Sequence, residues 1–285
     1  MKAIDLLTKA RNERFALGAF NTGNLEVAKA ITSAALVKQS PLIMETSAGE
    51  SEYFGMDNFL GFVKNFREKN NLPILANFDH GPGLVECRAA IEAGFDQVHF
   101  DGAKLSYEEN IKITKNLVLE AHTKGILIEA EMDRIMGESR SHGELAESVQ
   151  ALGNYTDPNK AAEFVNLTGC DILAVFIGNV HGIYQTKKKL DLSLLRAIRS
   201  KVPCFLSLHG GSDLLAEDVK GAIGLGVVKV NINTELRMAF RETLNNVLKG
   251  TDEAAVYKIM PPVIAAMQKI VEEKIDLFGS GGKVF

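Results

Sequence analysis

An aspartate and a histidine stand side by side at Asp79-His80, between the apolar residues 73–76 and the turn residues Gly81-Pro82-Gly83. An apolar run that ends in glycine and proline is typical of a buried strand passing into a loop. A carboxylate beside an imidazole at such a strand end could bind a metal ion and transfer a proton. A single Asp-His pair more often anchors a loop by hydrogen bonding, so the rest of the chain must decide.

Polar residues recur where other apolar segments end. These positions are Asn21, Ser47, Asp79, His80, Asp101, Glu131, His181, His209, Asn231 and Thr234. Three of the six histidines belong to this set, and three neutral imidazoles around one open position form a catalytic zinc site. We therefore predict Zn²⁺ bound by His80, His181 and His209. His99 lies inside an apolar segment and is interpreted as a residue that lines the interior.

Two turns near the C-terminus favour phosphate binding. The first is His209-Gly210-Gly211-Ser212, and the second is Asn231-Ile232-Asn233-Thr234, which opens a helical segment. Backbone N–H groups and a helix N-terminus bind phosphate, although a Gly-Gly pair alone could be a plain tight turn. A metal beside a phosphate site indicates carbonyl chemistry on a phosphorylated sugar, in which zinc polarises a ketone and stabilises an enediolate. Asp79 would then move a proton.

Eight short apolar segments alternate with helical patterns and would position these residues. We predict strands at 15–20, 41–44, 73–76, 97–100, 126–128, 171–177, 203–208 and 227–230. The helices are predicted at 25–37, 56–68, 84–93, 107–124, 157–167, 192–199, 215–223, 235–248, 254–260 and 262–277. This order predicts an α/β fold, a (β/α)8 TIM barrel with extra C-terminal helices, whose active site lies at the strand C-termini. Residues 1–285 are expected to form a single domain. A doubly wound sheet competes, but no G-x-G-x-x-G turn follows the first strand.

Composition bounds the partners and the compartment. The 285 residues are 46% hydrophobic and 24% charged, with a formal net charge of −4. This charge does not favour nucleic acid or a membrane surface, and the run Lys187-Lys188-Lys189 is typical of a solvated face. Three widely spaced cysteines and an N-terminus without an apolar signal segment predict a cytoplasmic protein.

Several motifs occur in order along the chain. They are Gly18-Ala19-Phe20-Asn21, Asp79-His80-Gly81, Asp101-Gly102, Glu129-Ala130-Glu131, Tyr155-Thr156-Asp157-Pro158, Ile177-Gly178-Asn179-Val180-His181-Gly182, Leu208-His209-Gly210-Gly211-Ser212 and Lys229-Val230-Asn231. Together they resemble one family, the class II, metal-dependent ketose-bisphosphate aldolases. The resemblance runs in order from Phe15 to Ser280. It implies reversible cleavage of a ketose 1,6-bisphosphate, fructose or tagatose 1,6-bisphosphate, into dihydroxyacetone phosphate and glyceraldehyde 3-phosphate.

The resemblance also implies roles for individual residues. His80, His181 and His209 would bind the catalytic zinc, with Glu131 as an alternative ligand, and Asp79 would be the proton donor to the hydroxyl at the cleaved carbon. The residues that would hold dihydroxyacetone phosphate are Gly182, Gly210, Gly211, Ser212, Asn231, Ile232, Asn233 and Thr234, with Asn21 and Ser47 nearby. A monovalent cation, Na⁺ or K⁺, near the phosphate and a homodimer or homotetramer are further expectations.

The chain departs from the family pattern at four places. Asn77 stands where a histidine is common, Glu45 where a glutamine is usual, and Asp213 where a glycine follows the phosphate turn. The loop after the fifth strand carries Glu138 one place early, so Glu138 is a weak candidate for the glutamate that handles the enediolate proton, and Glu144 is another. These differences bear on the choice of substrate more than on the type of reaction.

Two other interpretations stay open at this stage, and a third is disfavoured. A Schiff-base aldolase could use Lys229, which has the same strand parity as Asn231 and could reach the barrel interior. A metal-dependent hydrolase barrel usually has His-x-His on its first strand, and residues 20–21 lack it. A phosphosugar-binding relative without turnover is the non-enzymatic alternative.

Overall fold

The strands form a closed parallel barrel in sequence order, with β8 pairing to β1. The computed structural model describes residues 2–284. Its strands are β1 Leu17–Asn21, β2 Leu42–Ser47, β3 Ile74–Gly81, β4 Gln97–Asp101, β5 Leu127–Glu131, β6 Ile172–Ala174, β7 Phe205–Leu208 and β8 Val227–Ile232. The predicted (β/α)8 barrel is confirmed.

Twelve helices are found within residues 2–284 and surround the barrel or close its ends. They are α1 Ala3–Glu13, α2 Leu25–Lys38, α3 Ala48–Phe54, α4 Met56–Asn70, α5 Leu84–Ala93, α6 Tyr107–His122, α7 Ala146–Gln150, α8 Pro158–Thr168, α9 Leu192–Arg199, α10 Ala216–Gly224, α11 Thr234–Lys249 and α12 Val256–Phe278. None of the helices in the described part of the chain is long and apolar enough to cross a membrane.

Helix α1, which the sequence analysis did not predict, closes the N-terminal end of the barrel. Its buried residues Leu6, Leu7 and Ala10 pack with interior strand residues such as Leu17 and Ile43 in one apolar cluster. Since this end is sealed by hydrophobic packing, polar chemistry is confined to the middle of the barrel and to the opposite mouth.

The C-terminal residues form one long helix, α12, where the prolines had predicted two. Pro261 and Pro262 lie inside it, while Ile259 and Val263 on either side are both buried in one stripe along the helix. A proline removes a backbone donor and usually breaks a helix. Here the carbonyls left without a donor belong to Tyr257 and Lys258, both exposed to water. Water can satisfy these carbonyls, and burial of the stripe stabilises the continuous helix.

Strand β3 extends past its predicted end and carries the Asp79-His80 pair. The pairing register between β3 and β4 shifts between Phe78 and Gly81, and His80 has a left-handed backbone with φ of 48°. Neighbouring residues of a regular strand point to opposite faces, so this irregularity allows Asp79 and His80 to face the same mouth. A non-glycine residue in this conformation costs about 1–3 kcal/mol, which the surrounding structure must offset.

Candidate active site

The barrel mouth brings together the three histidines that the sequence singled out. The ring centroids of His80 and His209 are 4.7 Å apart, and that of His181 lies 5.4 Å from His80 and 6.3 Å from His209. The shortest approach joins His80 Nε2 and His209 Nδ1 at 3.0 Å. Potential ligand atoms of Asp79, His80, His99 and His209 all lie within 4.8 Å of one another. His181 is not part of this group, so its ring is the most distant of the three.

A carboxylate behind each of the two closest rings fixes which nitrogen carries the proton. His80 Nδ1 lies 3.1 Å from Asp101 Oδ2, and His209 Nε2 lies 3.0 Å from Glu129 Oε1. A carboxylate accepts hydrogen bonds, so each ring donates an N–H to it and turns its other nitrogen toward the mouth. Carboxylates behind metal-binding histidines commonly orient them in this way.

The two inward-facing nitrogens form a point that attracts positive charge. Burial opposes ionisation of His80, but the carboxylates of Asp79 and Asp101 together raise its pKa to about 10. Burial, with the neighbouring His99, lowers the pKa of His209 to about 3. One proton therefore lies between His80 Nε2 and His209 Nδ1. Two nitrogen ligands about 2.0–2.1 Å from a tetrahedral zinc would lie roughly 3.3 Å apart, so the donor types and the observed separation fit this metal.

Two further groups at the mouth, His99 and Glu131, differ in what they can offer a metal ion. The His99 Nδ1 accepts a hydrogen bond from the backbone N–H of His80 at 3.1 Å, so Nε2 carries the proton and has no free lone pair. This geometry supports the interpretation of His99 as a lining residue. Glu131 Oε2 is buried without a hydrogen-bond partner, and burial with the charge of Asp101 raises the pKa of Glu131 to about 8. This oxygen makes no hydrogen bond and lies 3.6 Å from His99 Nε2, so it suits an alternative metal ligand.

The side chain of Asp79 is oriented by two amide side chains. Asn21 Nδ2 donates to Oδ2 and Asn231 Nδ2 donates to Oδ1, each at 3.1 Å. Burial would raise the pKa of Asp79, but the positive charges of His80 and Lys229 lower it well below its ordinary value. The structure thus places an oriented, ionised carboxylate beside the three rings, where it can accept a proton.

The two predicted phosphate turns lie next to one another beside the histidines. Gly210 has φ of 60°, and a Cβ there would lie 2.5 Å from the Val180 carbonyl, so the turn accommodates only glycine without rearrangement. A narrow cavity of about 40 Å³ joins the rings to Gly210, Ser212 and Thr234. Thr234 is the first residue of α11, whose N-terminal N–H groups favour an anion.

The other residues predicted for phosphate binding divide by what they contribute. Asn231 and Asn233 line the same cavity, whereas the buried Ile232 side chain belongs to the apolar core outside it. Gly211 donates its N–H to the Asn231 carbonyl at 3.0 Å and so joins the two turns. Gly182 has φ of 102°, which favours glycine in the loop after β6.

Asn21 and Ser47 are linked by a residue that the sequence analysis missed, Glu50. Asn21 Nδ2 and Ser47 Oγ donate to the same Glu50 oxygen, at 3.1 and 2.9 Å. Ser47 is also the N-cap of α3, and Glu50 completes a capping box. The Ser-x-x-Glu spacing was the available signal.

A larger cavity of about 300 Å³ opens above the rings and adds three cations that the sequence analysis did not identify. Lys104, Arg134 and Arg237 line it together with Asp79, His80 and Glu131. Because these residues come from three separate parts of the chain, their spacing in sequence gives no sign of convergence. Their charge suits an anionic group at the end of the substrate away from the first phosphate turn.

The structure does not bring the side chain of Glu138 into this cavity. Its carboxylate is 72% exposed and lies 3.0 Å from Arg140, while its neighbours Gly137 and Ser139 line the cavity. Glu144 is also exposed. A polar loop without apolar periodicity does not reveal which way its side chains point, so the position of Glu138 could not be read from the sequence.

A charged network beneath the rings explains the departures at Glu45 and Asn77. Lys229 Nζ lies 2.5 Å from Glu129 and 3.4 Å from Glu45, and Asn77 Nδ2 donates to Glu45 at 3.0 Å. Burial opposes the charge on Lys229, but Glu129 and Glu45 raise its pKa, so the ammonium is a poor nucleophile. This arrangement disfavours a Schiff-base role. Burial and the Asp79 charge raise the pKa of Glu45 to about 8, while Lys229 and the hydrogen bond from Asn77 act in the opposite direction.

Asp213, the fourth departure, is compensated by its neighbours. It has φ of 61°, a conformation usual for glycine but tolerated by aspartate, and its carboxylate pairs with Lys187. The added negative charge beside the phosphate turn is therefore balanced locally.

Fold and site together define a class of barrel enzyme in which a histidine cluster that could hold a metal ion adjoins a mouth suited to an anion. Comparison with known proteins makes the assignment specific, because the family described as fructose-bisphosphate aldolase class-II matches residues 1–283. The fructose-bisphosphate aldolase of Geobacillus stearothermophilus is 36% identical over 284 residues, which are 98% of this chain and 96% of that protein.

Solved structures of relatives agree with this assignment. A putative fructose-1,6-biphosphate aldolase from Coccidioides immitis has a TM-score of 0.87 and 31% identity, covering 99% of this chain and 98% of that one. The YdjI aldolase from Escherichia coli K12 has a TM-score of 0.83 and 30% identity, covering 100% and 99%. The chain belongs to the class II fructose-bisphosphate aldolase family. The predicted class II ketose-bisphosphate aldolase, an enzyme of the lyase class, is confirmed, and zinc dependence is implied by the family.

Proposed function

We propose that this mouth reversibly cleaves fructose or tagatose 1,6-bisphosphate to dihydroxyacetone phosphate and glyceraldehyde 3-phosphate with Zn²⁺ held by His80, His181 and His209. The observation that carries the proposal is the 3.0 Å approach of His80 Nε2 and His209 Nδ1, each backed by a carboxylate. The nearby turn of Gly210, Ser212 and Thr234 supplies the phosphate site. Glu131 is the alternative ligand, since its Oε2 is buried and unpaired.

The metal and the protein contribute different parts of the chemistry. Zn²⁺, when bound, polarises the substrate carbonyl and stabilises negative charge that develops during cleavage. Asp101 and Glu129 hold the two closest rings in the required tautomers. The cavity walls orient the sugar so that the bond to be cleaved lies beside Asp79.

Asp79 is proposed to carry the proton at the cleaved carbon. In the cleavage direction its ionised carboxylate accepts the proton of the hydroxyl on the fourth carbon, and the electron pair of that O–H forms the aldehyde carbonyl as the carbon–carbon bond breaks. The electron pair of the broken bond stays on the dihydroxyacetone half as an enediolate, which takes one proton from solvent at the third carbon to give dihydroxyacetone phosphate. In the condensation direction the protonated Asp79 returns this proton to the new hydroxyl. The amide groups of Asn21 and Asn231 keep the carboxylate aimed at one place through both directions.

The two ends of the substrate are proposed to meet different anion sites. The phosphate of the dihydroxyacetone half binds at Gly210, Ser212 and the N-terminus of α11, with Gly211, Gly182, Asn231, Ile232 and Asn233 shaping the turns. The other phosphate lies toward Lys104, Arg134 and Arg237. Glu138 is proposed as a proton carrier only for a conformation in which the 132–145 loop turns inward.

One assay of purified protein tests the reaction. Cleavage of each bisphosphate is coupled to reduction of the triose product, before and after chelation and after addition of Zn²⁺. We expect activity that falls with the chelator and returns with zinc, and no lysine adduct on borohydride treatment with substrate. Full activity in metal-stripped protein would refute the zinc proposal, and borohydride trapping on Lys229 would support the Schiff-base alternative.

We also propose a cellular location, a domain count and an assembly for this chain. Cys87, Cys170 and Cys204 are all free thiols, which supports the inference of a reducing, cytoplasmic location. We further propose that residues 1–285 act as one domain and assemble as a homodimer or homotetramer. Limited proteolysis and light scattering would test these two points.

A further inference from the structure

Lys188 is a fully buried lysine that the proposed reaction does not use. Its ammonium donates to three backbone carbonyls, those of Val180 at 2.9 Å, Gly182 at 3.1 Å and Gly210 at 2.8 Å. Its sequence neighbours Lys187 and Lys189 are less buried, so the run that looked like a solvated face has an inward-facing central member.

Hydrogen bonds to all three carbonyls require Lys188 in its charged form. A neutral amine has two N–H groups, whereas three donated hydrogen bonds need the three N–H groups of an ammonium. Within the described residues, no carboxylate lies in ion-pair contact with Lys188. Burial lowers the pKa of Lys188 to about 7, and the more distant Asp213 and Glu235 act in the opposite direction. A phosphate dianion nearby would favour the charged form further.

The position of these carbonyls gives the lysine a function. Val180 and Gly182 flank His181 in the loop after β6, while Gly210 follows His209 in the turn after β7. One ammonium thus joins the two loops that carry two of the proposed zinc ligands and the first phosphate turn. Backbone carbonyls converging on one point are also how proteins bind a dehydrated monovalent cation.

We propose that Lys188 is a built-in cation: its ammonium fills a monovalent-cation position between the two loops and supplies a positive charge for the substrate phosphate. Phosphate binding in this protein therefore does not require Na⁺ or K⁺. This inference rests on the proposed phosphate site but not on turnover, because it concerns binding alone.

The test compares Lys188→Ala with the wild type, using zinc-loaded protein. Dihydroxyacetone phosphate binding is measured by calorimetry in tetramethylammonium chloride and in KCl or NH₄Cl at equal ionic strength. We expect wild-type affinity to be the same in all three salts. In tetramethylammonium chloride, Lys188→Ala should bind dihydroxyacetone phosphate at least about tenfold more weakly than the wild type. This is the effect expected when one charge is lost ~10 Å or less from a phosphate at an effective dielectric constant of ~20. K⁺ or NH₄⁺ should restore much of this affinity by entering the emptied position.

Two further variants separate the cation effect from general damage. Lys188→Met fills the same space without charge, so it should weaken binding without rescue by K⁺ or NH₄⁺. Lys189→Ala removes an equal charge from the adjacent residue and should bind as the wild type does. Thermal unfolding supplies a readout independent of substrate, because the midpoint of Lys188→Ala should rise with K⁺ or NH₄⁺ concentration and that of the wild type should not.

The outcomes are distinguishable from failure of the proposed reaction. Salt-independent binding of dihydroxyacetone phosphate by the wild type, with rescue of Lys188→Ala, supports the inference even if no bisphosphate is cleaved. A wild-type requirement for Na⁺ or K⁺, unchanged binding by Lys188→Ala, equal rescue of Lys188→Met, or no binding of dihydroxyacetone phosphate by the wild type would each overturn it.

Discussion

Replacing Lys229 with methionine should destabilise the barrel, because it removes the ammonium that compensates two buried carboxyl groups. Lys229 is fully buried, with Nζ 2.5 Å from Glu129 and 3.4 Å from Glu45. Methionine has a similar length and no charge, so the change removes the ammonium and preserves most of the volume. Glu45 can then take up a proton, since its pKa is already about 8. Glu129 cannot do so easily, because Ser207 and His209 both donate to it.

The size of the stability loss follows from Glu129, the one carboxylate left without a compensating positive charge. Breaking a buried ion pair by removing one partner costs about 3–5 kcal/mol. At about 2–4 °C per kcal/mol for a chain of this size class, the melting temperature should fall by roughly 6–20 °C. The double variant Lys229→Met/Glu129→Gln removes both charges and should recover at least half of the loss, although the amide that replaces the carboxylate accepts fewer hydrogen bonds from Ser207 and His209.

Equilibrium urea unfolding, supported by thermal scans at one scan rate, measures both effects. Lys249→Met, at an exposed position, is the matched control and should leave stability unchanged within about 0.5 kcal/mol. Loss below about 1 kcal/mol in the single variant, or a double variant no more stable than the single one, would refute the claim that Lys229 compensates buried Glu129.

Three further predictions concern the reaction itself. Asp101→Asn, which weakens the orientation of His80, should reduce zinc affinity by about 10–100-fold, measured in competition with a chromogenic chelator. The surface variant Asp5→Asn is the control. Zinc affinity of Asp101→Asn equal to that of the wild type would contradict the role of Asp101. Asp79→Asn should lower kcat by about 10²–10⁴-fold with zinc content unchanged, and a kcat within tenfold of the wild type would exclude Asp79 as the proton carrier. Glu138→Gln should change kcat by less than about threefold, because the Glu138 carboxylate is exposed and paired with Arg140. A hundredfold loss of kcat at unchanged KM would instead show that the loop brings Glu138 to the substrate.

The sequence was sufficient for the barrel and for the convergence of the histidines, because both follow from alternation and from the common edge of parallel strands. It was insufficient where tertiary packing overrides local preference. Helix α12 continues through Pro261 and Pro262 because its buried stripe is stabilised on both sides of the prolines. Helix α1 precedes the first strand, so the alternation of strands and helices does not predict its position beneath the barrel.

Side-chain direction was the second limit of prediction from sequence. Lys187, Lys188 and Lys189 are chemically identical, yet only Lys188 has its ammonium bonded to these three carbonyls, since direction in an irregular loop depends on the groups that the fold presents. Lys104, Arg134 and Arg237 meet only because separate parts of the chain meet at the cavity. Asn77 and Glu45 looked like departures that would disturb the site, but they form a hydrogen-bonded pair within the barrel.

The irregular backbone at the end of β3 joins the proposed metal ligand His80 and the proposed proton carrier Asp79 through one peptide unit. His80 keeps its left-handed backbone while its N–H is bonded to His99, and Asp79 immediately precedes it between two amides. Any relaxation of that unit would displace both groups in concert. Evolution or engineering of this enzyme therefore cannot retune one of these two functions by moving the main chain without altering the other, and new specificity is most accessible at the separate cationic wall of Lys104, Arg134 and Arg237.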